Sequence, residues 1–117
     1  MLGSFRDAGR GVVWMVRHQR HMRFHLLAAT TATALGLALR LGLDQWVAVV
    51  FAILAVLLAE TVNSAIEAVL DLVHPAQDPT VGVVKDLAAG AVLVAATAAA
   101  VIGALVYVPA LVHGIRP

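Results

Sequence analysis

Residues 46–73 form an apolar run long enough to cross a bilayer, yet Glu60, Glu67 and Asp71 lie within it or at its end. The hydrocarbon layer takes about 20 helical residues and offers no water to unpaired polar groups. The run must therefore be a helix. Its acids each cost roughly 3 kcal/mol at membrane depth unless they are paired or hydrated. A helix suited to lipid on one side and to carboxylates on the other constrains this chain more than any other feature.

Two further runs flank it. Residues 24–43 carry a single charge, Arg40, near the far end, where a long side chain can reach the interface. Residues 83–108 begin polar, with Lys85 and Asp86, and then become rich in Ala and Val. Residues 41–45 read as a short turn, residues 74–79 as a loop broken by two prolines, and residues 109–117 as a tail. Ahead of the runs, residues 4–22 read as an amphipathic surface helix that Ser4 can cap. Phe5, Ala8, Val12, Met15 and Val16 share one side, and Arg6, Arg10 and Arg17 gather on another. Gly9 and Gly11 weaken this helix, which the membrane surface would compensate by binding its apolar face. Trp14 and Trp46 read as interface anchors. With 62% hydrophobic and 13% charged residues in 117, the chain lies far from a soluble domain, where about 25% are charged. The expected fold is a single all-α membrane domain over residues 1–117. It comprises a surface helix and three transmembrane helices, at 24–43, 46–73 and 83–108.

Charge sets the expected topology. Arg6, Arg10, Arg17, Arg20 and Arg23 crowd the first 25 residues against one acid, Asp7. Arg-rich flanks remain cytoplasmic, so the amino terminus and the 74–79 loop belong inside and the Asp44 turn outside. A basic end joined to apolar spans suits anionic headgroups or nucleotide phosphates, and argues against nucleic acid as the partner. The absence of cysteine excludes disulfides and thiolate metal sites.

At about 100° per residue, Glu60, Glu67 and Asp71 line up, Asn63 and Ser64 flank that line, and His74 continues it. Val62, Val69 and Val73 occupy the other side. On the third run, Asp86, Ala89, Gly90, Leu93 and Thr97 form a face of mostly small residues. Such a face admits another helix closely, in the same subunit or a neighbour. The polar set suits phosphoryl transfer. Carboxylate and amide oxygens can hold Mg²⁺, Lys and Arg can bind phosphate, and a carboxylate in a low-dielectric place can accept a hydroxyl proton. No Walker-type or kinase-type glycine loop is present. Ser64 reads as a packing hydroxyl, and His18, His21 and His25 as solvated interface residues rather than metal ligands.

These residues resemble a known family. Glu60-Thr61-Val62-Asn63-Ser64-Ala65-Ile66-Glu67, followed by Asp71, is similar to the E-x-x-N-[ST]-A-I-E-x-x-x-D signature of the prokaryotic diacylglycerol kinase and undecaprenol kinase family. Lys85-Asp86-Leu87-Ala88-Ala89-Gly90-Ala91-Val92 resembles its second block, and Phe5-Arg6, Ala8 and Gly11 resemble its start. Arg20 and Met22-Arg23-Phe24-His25-Leu26 resemble its E-R-N-x-R-I-H-L entry to the first span. The resemblance implies a homotrimer in the bacterial inner membrane, with sites between subunits near the cytoplasmic face, where MgATP phosphorylates a lipid hydroxyl. It implies that Glu60 is the general base, that Asn63 orients the site and that Glu67 binds Mg²⁺ with the ATP phosphates. Lys85 would contact the transferred phosphate and Asp86 the nucleotide region, with Arg10, Arg17 and Arg23 adding positive charge. Where the family has a metal- and nucleotide-binding Glu, this chain has Gln19, which keeps an oxygen but loses a charge. His21 likewise replaces the family's Asn. The Arg23–Leu26 entry and the Asp71-Leu72-Val73-His74-Pro75 end look more like the undecaprenol kinase branch, with diacylglycerol as the alternative acceptor. Two other classes compete: a proton-coupled transporter using Glu60 and Glu67, and a structural membrane protein.

Overall fold

The computed structural model describes residues 1–73 and 78–115. Among them all regular structure is helical: α1 (Leu2–His18), α2 (Arg20–Ala38), α3 (Leu43–Val73) and α4 (Pro79–Ile115). The calls on His74, on the 75–77 part of the loop and on Arg116 in the tail lie outside the described residues.

The helices are bounded by local chemistry that shifts the expected ends. The surface helix does not run on to residue 22. It stops at His18, because Gln19 is extended (φ −109°, ψ 110°). The Arg23 guanidinium then turns back and donates to the carbonyls of Val16 (3.3 Å) and Arg17 (2.9 Å). It thus satisfies acceptors that the last turn of α1 leaves free. Ser4 makes no cap; Met1 holds that position, and Ser4 lies inside the helix. The elbow is packed by Met15 and Met22, both buried.

The second helix ends at Ala38 rather than 43. Arg40 adopts φ 54°, its N–H donates to the Leu37 carbonyl, and the Leu41 N–H donates to the Gly36 carbonyl. That is the Schellman arrangement, here with a non-glycine residue in the left-handed position. Asp44 and Gln45, expected in the turn, belong to the first turn of α3. The Gln45 Oε1 accepts from the Gly42 N–H at 2.8 Å, a half capping box. Asp78 opens α4 four residues earlier than 83. Its Oδ1 accepts from the Thr80 N–H at 2.8 Å, with Pro79 as the first helical residue. Nor does α4 stop at 108: it continues through Pro109 to Ile115.

Helices α3 and α4 are the principal packing pair, with α2 against α3 and α1 at the elbow. The buried cluster of Leu41, Val49 and Val106, with Trp46, Ile102 and Tyr107 packed on it, sits at the α2–α3 turn. Trp46, expected as a free anchor, lays its indole where a Cβ on Gly36 would meet it at 2.8 Å. The Tyr107 hydroxyl ties α4 to α2 through the Ala32 carbonyl at 2.6 Å.

Two helices, α3 and α4, are long and apolar enough to cross a membrane. Much of their apolar surface is outward, including Phe51, Leu54, Leu58, Leu93, Val94 and Leu105. The threonine hydroxyls of the apolar segments are consistent with lipid. Thr30, Thr31, Thr33, Thr61 and Thr97 each donate to the carbonyl four residues back. Their helices therefore satisfy them without water.

Candidate active site

The buried seam of α3 runs through Val49, Ala52 and Val56, and continues without a break into Glu60, Asn63 and Ser64. The polar stripe therefore faces protein rather than lipid. Glu60 is 4% exposed, Ser64 6% and Asn63 8%. Glu67 is half-buried and accepts from Asn63 Nδ2 at 3.4 Å, while Asp71, a turn further on, is exposed. At about 1.5 Å rise per residue, Glu67 stands about 10 Å and Asp71 about 16 Å beyond Glu60 along the helix. The stripe thus climbs from a buried carboxylate toward a wet end.

Among the described residues the Glu60 carboxylate has one ionisable neighbour within ion-pair distance. His25 Nε2 stands 3.6 Å from Oε2, with the imidazole only 16% exposed. The histidine expected to be solvated is thus the residue that meets the candidate base. The missed signal was its position: five residues into α2, on the turn after buried Met22, it points inward with that residue. His18 is bound locally, stacked on Trp14 at 4.6 Å and hydrogen-bonded through Nδ1 to the Trp14 carbonyl at 2.8 Å.

Lys85 is brought to the same helix as the stripe, but onto Asp71: Nζ donates to Oδ1 at 2.7 Å, fastening the wet end of α3 to the start of α4. Asp86 is exposed, and so are Ala89, Leu93 and Thr97 of its face; a Cβ on Gly90 would touch nothing. The face that meets α3 is the neighbouring one, through Lys85, Ala88, Val92, Ala99, Ile102 and Val106. Of the two contacts expected of the small-residue face, with the stripe of its own subunit or of a neighbour, the one within the subunit is not made; an adjacent face packs on α3 instead. Of the basic residues, Arg10 pairs loosely with Asp7 at 3.8 Å on the exposed face of α1. Arg17 is exposed, Gln19 is half-buried at the elbow, and Arg23 is committed to the α1 carbonyls.

Two polar atoms of the stripe are buried without a hydrogen-bond partner: Asn63 Oδ1 and Ser64 Oγ. Unmet buried polar atoms are rare and mark places where something else binds. Among the described residues no three His, Asp or Glu side chains gather as a metal group. Between α2, α3 and α4 lies a groove of about 310 Å³, walled by Ala, Val, Ile and Leu side chains. Its only polar linings are His25 and Tyr107. Tyr107 is spent on Ala32, so His25 gives the groove its one free polar edge, next to Glu60.

An apolar groove thus has its polar edge, His25, beside a buried carboxylate, and two of its three helices are of membrane length. Residues 6–107 match the prokaryotic diacylglycerol kinases, and the chain belongs to that family of membrane lipid kinases. It is 35% identical over 108 residues to an undecaprenol kinase of Bacillus subtilis (strain 168), covering 92% of this chain and 88% of that one. It is 36% identical over 117 residues to a diacylglycerol kinase of Synechocystis sp. (strain ATCC 27184 / PCC 6803 / Kazusa), covering 95% of this chain but 64% of the relative, which is the longer protein. No solved structure matches the chain at a significant level.

Proposed function

We propose that this chain is a MgATP-dependent lipid kinase that transfers the γ-phosphate of ATP to the hydroxyl of undecaprenol. The observation that carries this reading is the buried Glu60 carboxylate at the polar edge of an apolar groove. A long apolar chain in that groove would present its terminal hydroxyl to Glu60. The carboxylate would take the hydroxyl proton as the oxygen attacks phosphorus and the bond to ADP breaks. Asn63 holds Glu67 and orients the stripe, Lys85 exchanges Asp71 for phosphate, and Asp86 faces the nucleotide from the exposed side of α4. Arg10, Arg17 and Arg23 raise the local positive potential.

The donor set suits a hard cation. Glu67, the free Asn63 Oδ1 and Gln19 are oxygen ligands, and Mg²⁺ usually completes its shell with water and substrate phosphates. When bound, the ion would neutralise phosphate charge. Undecaprenol is favoured over diacylglycerol by the relative that shares the chain's length, with 88% of it covered against 64%.

The arginine-rich amino terminus supports a reading with α1 on the cytoplasmic surface of the inner membrane and α2 as the first of three spans. The exposed Asp86 face and the outward leucines fit a homotrimer in which a neighbour completes each site. A proton-coupled transporter is disfavoured by the family and by the Lys85–Asp86 pair.

The test is transfer of labelled γ-phosphate from MgATP to undecaprenol and to diacylglycerol in mixed micelles. Label in undecaprenol at the higher kcat/KM supports the assignment. Preference for diacylglycerol reverses the acceptor, and label in neither refutes the kinase. Gln19→Glu adds back a carboxylate and should lower the Mg²⁺ concentration for half-maximal rate by up to about tenfold.

A further inference from the structure

The Glu60–His25 contact has a consequence beyond the choice of base. A buried carboxylate that takes a proton in each turnover must also lose it before the next. Glu60 is 4% exposed, so bulk water does not reach it freely. Among the described residues, His25 is the only ionisable group within ion-pair reach of it, at 3.6 Å between Nε2 and Oε2. That distance is slightly longer than a hydrogen bond. The imidazole comes from a different helix, so the contact depends on the fold and not on sequence neighbours. It is also more open than the carboxylate, at 16% against 5% for the two side chains. His25 lines the groove beside the buried acid, and the other polar lining side chain, Tyr107, donates its hydroxyl to Ala32.

We propose that His25 is the proton outlet of Glu60: once the carboxylate has taken the hydroxyl proton of the substrate, the imidazole accepts that proton at a bare Nε2 and passes it to water. The reading rests on the lipid kinase proposed above. In one turnover the lipid oxygen forms the new bond to phosphorus and the bond to ADP breaks with its electron pair. The hydroxyl proton moves to Glu60 and then to His25. The imidazolium releases it to solvent, which returns both side chains to their starting state. Imidazole suits this task because histidine is the side chain that gains and loses a proton most readily near neutral pH. The wet end of the stripe offers no substitute, since Asp71 is some 16 Å along the helix and is occupied by Lys85.

The experiment uses the full chain in mixed micelles with MgATP and the preferred lipid, comparing wild type with His25→Gln, His25→Ala, Glu60→Gln and the His25→Gln/Glu60→Gln pair. Positioned proton transfer contributes about 10²–10⁴-fold to rate. An outlet acting through the base is expected at the lower edge, a loss in kcat of roughly 10–100-fold, with KM for lipid and ATP within about twofold. Added imidazole should restore turnover to His25→Ala but not to His25→Gln, whose side chain still fills the space. The double variant should be no slower than Glu60→Gln, because the outlet has no role once the base is gone. Unchanged kcat in His25→Gln overturns the inference and leaves the kinase standing, as does a loss confined to KM or a loss that imidazole does not rescue in His25→Ala. Wild-type protein that transfers no phosphate to either lipid overturns both.

Discussion

The two ends of α3 are built on opposite terms. Near the α2–α3 turn the polar contacts are made within the chain: Leu41 N–H on Gly36, Gly42 N–H on Gln45, and the Tyr107 hydroxyl on Ala32. The apolar side chains there close on one another so tightly that Trp46 leaves no room for a Cβ at Gly36. About 26 Å along the helix from the turn, the same seam buries Glu60, Asn63 and Ser64 and leaves Asn63 Oδ1 and Ser64 Oγ unmatched. Each unmatched buried group costs about 1–3 kcal/mol. The turn end supplies the stability that lets the other end hold groups in a state suited to substrate rather than to the fold.

Substitutions at the two ends should therefore separate. The largest effect belongs to Glu60→Gln, which keeps shape and burial but removes the base. Phosphate transfer should fall by about 10²–10⁴-fold. The thermal midpoint in detergent should hold or rise, because an ionised group no longer has to be buried. A fall in midpoint matching the fall in rate would break the comparison, since the site end would then also be structural. At the turn, Gly36→Val drives methyl groups into the Trp46 ring and the Leu41 side chain. Overpacking of that kind costs about 1–3 kcal/mol. The midpoint should drop, while transfer per folded molecule, measured well below it, stays near wild type.

The sequence made the apolar end legible only in outline and the polar end in detail, and the reasons are physical. Carboxylates inside a membrane-length run are expensive enough that their spacing alone identified one face, and burial of Glu60, Asn63 and Ser64 follows that stripe. Helix ends depend on bonds of smaller energy that composition does not reveal. Arg40 looked like a snorkelling residue inside a span, but the Schellman bonds to Leu37 and Gly36 end the helix before it. Gln19 looked interior to a surface helix, until Arg23 is seen to hold the α1 carbonyls and fix an elbow there. The contact of His25 with Glu60 joins residues 35 positions apart on antiparallel helices, so no local pattern could report it. The sequence left open whether the small-residue face of α4 meets its own α3 or a neighbour's, and within the chain an adjacent face packs on α3. Ala, Gly and Val make nearly equivalent faces on an Ala-rich helix, and the choice between them is made by packing.

Ser64 sharpens the contrast at a smaller scale. Its hydroxyl, first read as packing, is buried and unpartnered. Ser64→Ala should then raise stability by about 1 kcal/mol, measured by thermal unfolding of the detergent-solubilised protein. A loss instead would mean that a neighbouring subunit or the substrate supplies the partner, and would move Ser64 into the site.

The smallest expected effect lies at the turn, at Arg40. A non-glycine residue at φ 54° carries roughly 1–2 kcal/mol of backbone strain. Glycine would relieve it, but would add freedom to the unfolded chain that offsets part of the gain. The net for Arg40→Gly is a rise of about 0.5–1 kcal/mol in neutral detergent. In vesicles with anionic lipid the result should differ, because the exposed guanidinium can reach phosphate headgroups, an attraction of about 1 kcal/mol per basic residue at the surface. The gain should shrink toward zero there and return at high salt. If the variant is equally stabilised in both media, Arg40 makes no use of the headgroups. If it is destabilised in both, the arginine side chain matters to the turn through contacts stronger than the strain it imposes.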